Sequence, residues 1–364
     1  MSTQTTEGAD QEPIRLTISE DGSLFDRHTG RRIVAEQLPS DVHIATEIPT
    51  YLAGYQNPEF RADEVSKPVT RTKLVGYYRT KDPRDAYQPV NVKLAITAWV
   101  KEITPRSATT LYTMEHRGIG SFVNDMTEME AEGIAWDPRR EAAVRCYDVM
   151  LLDREIDVWT MLKNAANWAA NNYVTLLAGF QWNGGVNSDP LGDIQNMIVN
   201  SPGGISDIYL TQVAAFALLR HPSVAAQTRF MVGDQALQTT IQNVHKALLP
   251  GQKVDFELPG YPPFHVANAM VWNETTQSVG PDDTILGGDV IGVMNLPGDP
   301  TDGRRAPTSQ TFRLPGAGDS GIVTREYRIE GRGPRGGIFM VVSQAEVPVM
   351  ISSWVGGVIH NAVQ

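Results

Sequence analysis

Apolar positions change in texture three times along this chain. Residues 1 to about 45 carry few of them: Ile14, Leu16, Ile18, Leu24 and Phe25 lie among polar and charged neighbours. Such a segment cannot bury enough surface to order itself. It predicts an arm that is ordered by what it lies on, either neighbouring copies or the chain's own domain. From about Tyr51 to Val123 the pattern is β. Residues 74–78 predict a short strand, and 90–100 a longer one with apolar residues at alternate positions in its first half. The charged, proline-containing stretch 79–85 between them predicts the tip of a long hairpin. Isolated two-stranded hairpins are marginal in water, so the pattern predicts an arm resting on a partner. An ordinary sheet edge is the alternative.

The clearest helix follows. Asp137 stands at an N-cap position with Pro138 at the first helical position. The run continues to about Trp168 without an internal glycine or proline. Val144, Tyr147, Leu151, Val158, Leu162 and Ala165 form one stripe, widened by Leu152, Ile156 and Trp159. Such a helix would be about 45 Å long at 1.5 Å per residue, well beyond the ordinary length of a globular helix, and it suits the spine of something flat. A mixed α/β region comes next. Turn residues stand at 182–185, and helices are predicted from 188–194, over 208–219 and over 234–249. Strands are predicted at 254–256, 265–272 and 290–294. A proline- and glycine-rich loop is predicted at 297–318, then strands at 322–329, 337–342 and 347–351.

Composition narrows the classes. The chain has 364 residues, 41% of them hydrophobic, enough for a large core. Thirty-one basic against 42 acidic residues give a formal charge of -11. A dedicated nucleic-acid binder is usually basic over its binding face, so sequence-reading DNA binding is not expected. One cysteine, Cys146, excludes an internal disulfide framework and a Cys-rich zinc site. No apolar run approaches the roughly 20 residues of a membrane span, and the N-terminus lacks the pattern of a signal peptide.

Motifs that could carry chemistry are thin. Gly316, Gly318 and Gly321 match G-x-G-x-x-G, but a strand-like run follows where a dinucleotide site needs a helix. Gly318-Asp319-Ser320-Gly321 is similar to the nucleophile segment of trypsin-like proteases, yet none of the seven histidines stands in the required context. Those histidines (His28, His43, His116, His221, His245, His265, His360) lack metal-ligand spacing. Asp282-Asp283 and the acids at 299–302 lack the spacing of a calcium loop. No catalytic residue, metal site or cofactor is expected.

The order of parts carries the functional reading: polar arm, β hairpin, long spine helix, mixed domain, closing strands. This order resembles the Hong Kong 97-type fold of tailed-bacteriophage major capsid proteins. Local phrases resemble the same group. They are Asp137-Pro138 leading to Leu151-Leu152-Asp153-Arg154-Glu155; Trp182 followed by Ser188-Asp189-Pro190 and Asp193-Ile194; and a helix ending Ala217-Leu218-Leu219-Arg220-His221-Pro222. Phe312-Arg313, Gly316-Ala317-Gly318 and Val323, then Trp354-Val355-Gly356-Gly357-Val358-Ile359, complete the set. The resemblance spans nearly the whole chain.

It implies an α+β fold in five parts. These are an N-terminal arm over 1–45, an extended hairpin loop and its base over 46–125, and a peripheral domain with the spine helix over 126–171. An axial domain follows over 172–335, then C-terminal strands returning to the peripheral domain over 336–364. It implies a major head protein, not an enzyme, that self-assembles as hexamers and pentamers into the icosahedral capsid of a virion built in the host cytoplasm. The shell would enclose double-stranded DNA without reading its sequence. Portal, scaffolding and decoration proteins are the implied partners, with no membrane. A chain that keeps Met1 implies a separate scaffolding protein. Arg79, Lys81, Asp82, Arg84 and Asp85 of the hairpin tip are the expected inter-subunit contacts. Some members of the group cross-link through a Lys–Asn isopeptide bond, for which Lys81 and Asn361 are available without a specific motif. Two other readings stay open: an encapsulin-like nanocompartment shell, and a β-rich hydrolase or binding protein.

Overall fold

Two sheets share one long helix. The computed structural model describes the backbone of residues 16–18, 24–26 and 32–33. It further describes residues 48–82 (except 49, 50, 53, 54, 56 and 58), 108–132, 136–184, 187–232, 253–271, 284–296, 306–315, 321–330 and 336–363. The chain opens with a meander of β1 (Leu16–Ile18), β2 (Leu24–Asp26) and β3 (Arg32–Ile33), whose strands pair with one another. A one-turn helix, α1 (Ala62–Val65), leads into β4 (Lys67–Thr70). β5 (Val75–Arg79) and β6 (Thr109–Thr113) make an antiparallel ribbon, and β7 (Glu115–Asn124) runs on into α2 (Asp125–Ala131). The spine is α3 (Pro138–Lys163). Then come β8 (Tyr173–Thr175), α4 (Pro190–Val199), β9 (Asp207–Leu210), α5 (Gln212–Arg220) and α6 (Pro222–Val232). Strands close the chain: β10 (Asp255–Phe256), β11 (Phe264–Val266), β12 (Val290–Val293), β13 (Ser309–Arg313), β14 (Val323–Ile329), β15 (Gly337–Met350) and β16 (Gly357–His360).

The six-stranded sheet has the order β10-β11-β9-β12-β16-β8. The five-stranded sheet has the order β14-β15-β13-β4, with β7 also paired to β15. Sheet membership crosses the boundary expected at residue 335: β13 and β14 lie in the five-stranded sheet, and β16 joins the six-stranded one.

The spine begins as its sequence dictates. The Asp137 carboxylate accepts from the N–H groups of Arg139 and Arg140, and Pro138 occupies the first turn. Its 26 residues span about 39 Å at 1.5 Å per residue. It ends at Lys163 rather than near Trp168. Asn164 leaves the helical region and its side chain accepts from Ala166 N–H, opening a separate 3-10 turn at Ala165–Asn167. The Trp168 indole N–H donates to the Leu162 carbonyl at 2.6 Å, satisfying one of the orphaned end groups. Of the expected stripe, Tyr147, Leu151, Val158, Trp159 and Leu162 are buried, Val144, Leu152 and Ile156 are half-buried, and Ala165 is exposed. The buried face also holds Arg154 and Glu155.

Each half of the spine serves a different sheet. Ala143, Cys146, Tyr147, Met150 and Leu151 pack with Met340 and Val342 of β15. Val158, Trp159 and Leu162 pack with Tyr209 of β9, Ile291 and Val293 of β12, and Val358 of β16. The helix is thus the common wall of two cores.

Several expectations are corrected. Among the described residues the strand at 75–79 pairs with Thr109–Thr113. The segment 83–107, which holds the strand expected at 90–100 and the tip residues Arg84 and Asp85, lies outside the described residues. Residues 208–219 are not one helix. Ile208, Tyr209 and Leu210 are a buried central strand, and Thr211 then caps α5 by accepting from Ala214 N–H. An apolar run of this length fits a buried strand as well as a helix. The loop expected at 297–318 contains β13, all five residues of which are buried between β15 and β4. Its Ser309-Gln310-Thr311 start reads as loop, yet each of these residues is covered by neighbouring strands. β15 is one strand of 14 residues where two were expected, because β14 and β13 pair with its successive halves while β7 lines the other edge. The helix expected at 234–249 lies outside the described residues.

Phe312 pins the ribbon to the five-stranded sheet. Its ring is fully buried, edge-on to Tyr78 (5.5 Å) and Tyr112 (4.9 Å), with the Arg71 guanidinium 4.5 Å from its centroid. Phe312→Ala is expected to lower the unfolding free energy by about 3–5 kcal/mol, read from urea denaturation followed by tryptophan fluorescence.

Candidate assembly surface

The β5–β6 ribbon has two unlike faces. Pairing sets Val75 opposite Thr113, Tyr77 opposite Leu111 and Arg79 opposite Thr109. Side chains alternate along a strand, so these six share one face. Gly76, Tyr78 and Tyr112 share the other, where Tyr112 is buried and its hydroxyl donates to the Lys73 carbonyl at 3.2 Å. Position 76 must be glycine: a Cβ there would stand 2.7 Å from the Tyr112 hydroxyl oxygen. The outward face is apolar at its centre. Tyr77 is 73% exposed, Leu111 54% and Val75 51%.

The ribbon is held where it leaves the body. Thr80 N–H donates to the Ala108 carbonyl (2.9 Å), and Ala108 N–H donates to the Thr80 hydroxyl (3.2 Å). Met114 N–H donates to Leu74 (2.8 Å), and Lys81 N–H donates to the Ile351 carbonyl (2.9 Å). Of the expected contact residues, Arg79 is exposed on the outward face, while Lys81 and Asp82 are half-buried beside the closing pair. The apolar centre at Val75, Tyr77 and Leu111 was missed from sequence. The run Val-Gly-Tyr-Tyr-Arg shows no alternation, because a tyrosine stands on each face.

Behind the ribbon lies a buried charge cluster on the spine. The Arg154 guanidinium donates from Nε to Glu346 (2.7 Å), from Nη1 to Asp63 (3.1 Å) and from Nη2 to Gln344 (2.5 Å). Arg313 of β13 donates to the same two acids, Glu346 (3.3 Å) and Asp63 (3.1 Å). Arg154 and Glu346 are each 2% exposed. Two guanidinium groups thus face two carboxylates, which is the balance that low-dielectric surroundings require. Burial lowers the Arg154 pKa, but the charges of Glu346 and Asp63 outweigh it and push it up.

The neighbouring Glu155 ties down the start of α1. Its carboxylate accepts from the N–H groups of Arg61 (3.0 Å) and Ala62 (2.7 Å), groups that a short helix leaves orphaned, and from the Trp159 indole (2.7 Å). Burial pushes its pKa above the usual carboxylate range, against the pull of these donors.

Arg61 extends the chain of charges to the six-stranded sheet. It pairs with Glu64 (2.7 Å) and Asp255 (2.8 Å), and Glu64 also takes Lys253. Asp255 accepts from His265 Nδ1 (2.9 Å), and Asp207 accepts from His265 Nε2 (3.0 Å), while the ring stacks on Tyr209. Both ring nitrogens face carboxylates, an arrangement only the imidazolium satisfies. Burial alone would lower the His265 pKa; the two hydrogen bonds and charges push it up to about 9.

Among the described residues no group of three or more His, Cys, Asp or Glu side chains is placed to hold a metal ion, and no helix is long and apolar enough to cross a membrane. Cys146 is buried in the core between the spine and the five-stranded sheet. A partly open cavity of about 240 Å³ is walled by Tyr147, Arg154, Glu155 and Lys253, all but Tyr147 engaged in the pairs above. A shallow cleft of about 710 Å³ lies between α2 and the start of α3, where Glu128 pairs with Arg139 and Asp125 with Arg328. His360 and Asn361 bind Asp289 in the six-stranded sheet, and the strand Val323–Ile329 follows the glycine-rich stretch at 316–321, of which 316–320 lies outside the described residues.

No protein-family model and no curated protein matches the sequence. Solved structures do match in shape. A phage-related protein from Bordetella bronchiseptica RB50 aligns with a TM-score of 0.61 at 16% identity, over 88% of this chain and 98% of that one. The capsid of cyanophage P-SCSP1u aligns at 0.53 with 10% identity, over 84% and 89%. The capsid of the native GTA particle aligns at 0.51 with 11% identity, over 84% and 90%. At these identities the likeness is one of fold. The chain has the α+β fold of phage capsid proteins.

Two tests follow from the charge network. Arg154→Met leaves Glu346 buried with one weaker partner, and is expected to cost about 3–5 kcal/mol. Adding Glu346→Leu should recover part of that loss in the same urea titration. For His265 the folded pKa is raised from 6.5 to about 9. Its stabilisation is therefore complete below the unfolded value and is lost as the pH rises through about 9. Thermal midpoints measured from pH 6 to 10 should fall on the alkaline side, and His265→Gln should flatten that limb.

Proposed function

We propose that this chain is the major capsid protein of a tailed bacteriophage, a shell subunit without catalytic activity. The observation that carries the reading is the outward face of the β5–β6 ribbon, which presents Val75, Tyr77 and Leu111 to solvent on a chain with the capsid fold. A soluble monomer gains nothing from such a face, whereas a subunit gains an anchor for its neighbour. The five-stranded sheet and the first half of the spine form the peripheral part. The six-stranded sheet forms most of the axial part, and the ribbon with its 80–108 excursion is the extended loop. Arg79, Lys81, Asp82, Arg84 and Asp85 contact the neighbouring subunit around that apolar anchor.

Copies associate as hexamers and pentamers and close into an icosahedral shell around double-stranded DNA in the virion, after assembly in the host cytoplasm. A portal and scaffolding protein are the expected partners, with decoration proteins as further ones. The net charge of -11 suits a wall that must not grip its cargo.

Negative-stain electron microscopy of the chain, expressed alone and with its neighbouring genes, tests this. Closed shells, sheets or capsomer rings are expected; a discrete monomer or small dimer under both conditions rejects the reading. Tyr77→Asp should leave the unfolding free energy within about 0.5 kcal/mol, because the residue is exposed, and should abolish particles.

A further inference from the structure

The partly open cavity beside the charge network has a polar group on its wall that the fold leaves unused. Residues three and four apart share a helix face, and Tyr147, Leu151, Arg154 and Glu155 of the spine form one side. Tyr55, Asn57 and Phe60, from the segment before α1, face them across about 240 Å³. Arg154 and Glu155 have their partners. The Tyr147 ring meets Tyr55 edge-on at 6.3 Å, but its hydroxyl makes no hydrogen bond among the described residues. Tyr147 is only 6% exposed, and a buried hydroxyl is as a rule hydrogen-bonded. Burial pushes its pKa up, so it stays a neutral O–H. Asp148, held by two residues of the opposite wall, lacks a partner of another kind. It accepts from the Tyr55 hydroxyl (3.2 Å) and the Asn57 amide (3.1 Å), both neutral, and no cation pairs with it among the described residues.

We propose that this cavity binds a small aliphatic amine in its ammonium form. An ammonium carries three N–H donors and no acceptor. The Tyr147 oxygen offers it an unused acceptor, and Asp63, whose side chain is 46% exposed, offers carboxylate oxygens on the same cavity wall. The charge of Asp148, balanced by no cation among the described residues, attracts it from beside the Tyr55–Asn57 wall. Its carbon chain lies against Leu151 and the rings of Phe60 and Tyr55, whose faces favour a cation. Walls of ring and aliphatic carbon suit an organic cation; a metal ion of the calcium or magnesium kind needs a cage of six or more oxygens. A volume of about 240 Å³ holds a molecule of a few heavy atoms. The site lies within one subunit and is independent of the shell reading. Occupied, it ties the spine to the segment before α1 and stabilises the fold by mass action.

Ligand-observed NMR of the full-length chain, with butylamine as the probe, tests the site. Saturable binding is expected, together with a dose-dependent rise in the thermal midpoint that sodium chloride at equal ionic strength does not reproduce. Tyr147→Phe keeps the ring and removes only the unpartnered hydroxyl. It should unfold at an unchanged midpoint without amine and bind butylamine about tenfold more weakly. Asp148→Asn, which removes the charge, should weaken binding several-fold and carries the test if the first variant does not fold. No saturable binding by the unaltered chain, or undiminished affinity in either folded variant, overturns the proposal. Acetyl-lysine methylamide with its side-chain amine free presents the same ammonium on a peptide; tighter binding of it than of butylamine overturns the assignment to a free amine.

Discussion

The structure depends on the buried charges at the middle of the spine. Arg154 reaches β15 through Glu346 and Gln344, and reaches the segment before β4 through Asp63. One residue further, Glu155 holds the backbone at Arg61 and Ala62. Buried pairs of this kind add little net stability compared with an apolar core, since desolvation offsets the attraction. What they impose is position: a carboxylate that must meet two N–H groups, or a guanidinium that must meet two acids, tolerates little displacement. The spine is thereby fixed against both sheets at the point where its packing passes from one to the other.

That fixation reaches the surface by short steps. Arg313 shares Glu346 and Asp63 with Arg154, and its neighbour Phe312 is the ring on which Tyr78 and Tyr112 of the ribbon rest. On the other side, Arg61 passes the chain of charges to Asp255 and His265, which clamps β9, β10 and β11 together. Surface elements that stand on a long helix keep a fixed relation only if that helix is fixed against both sheets. A polar network supplies that, with Arg61, Arg154, Glu155 and Glu346 buried and Asp63, Glu64 and Asp255 reaching the surface at its edges.

The ribbon shows how a small element becomes a contact surface. Its inner face is used up by aromatic packing, and its base is closed by Thr80 and Ala108. The outer face, at Val75, Tyr77 and Leu111, is left exposed among the described residues. Two strands cannot cover it, and its apolar centre is too small to drive association by itself.

The sequence by itself determined the elements whose signals are local. Asp137 and Pro138 start the spine because a cap and a ring-fixed φ act within one turn. Asp189 and Pro190 start α4 for the same reason. The stripe from Tyr147 to Leu162 marks a buried helix face because period 3.6 is written in one stretch of chain. The order of parts, and with it the capsid fold, was legible too. Tertiary structure alone decided the rest. β13 reads as loop because its Ser309, Gln310 and Thr311 are polar, and only β4 and β15, far away in sequence, turn it into a buried strand. The hairpin partner at 109–113 lies about 30 residues beyond β5, and no local signal distinguishes it from the run at 90–100. Nothing in the sequence around Arg154 and Glu155 marks them as buried; Glu346, Asp63 and the backbone of Arg61 and Ala62 make them so. Burial and pairing are properties of what comes together in space, and a single stretch of chain does not contain them.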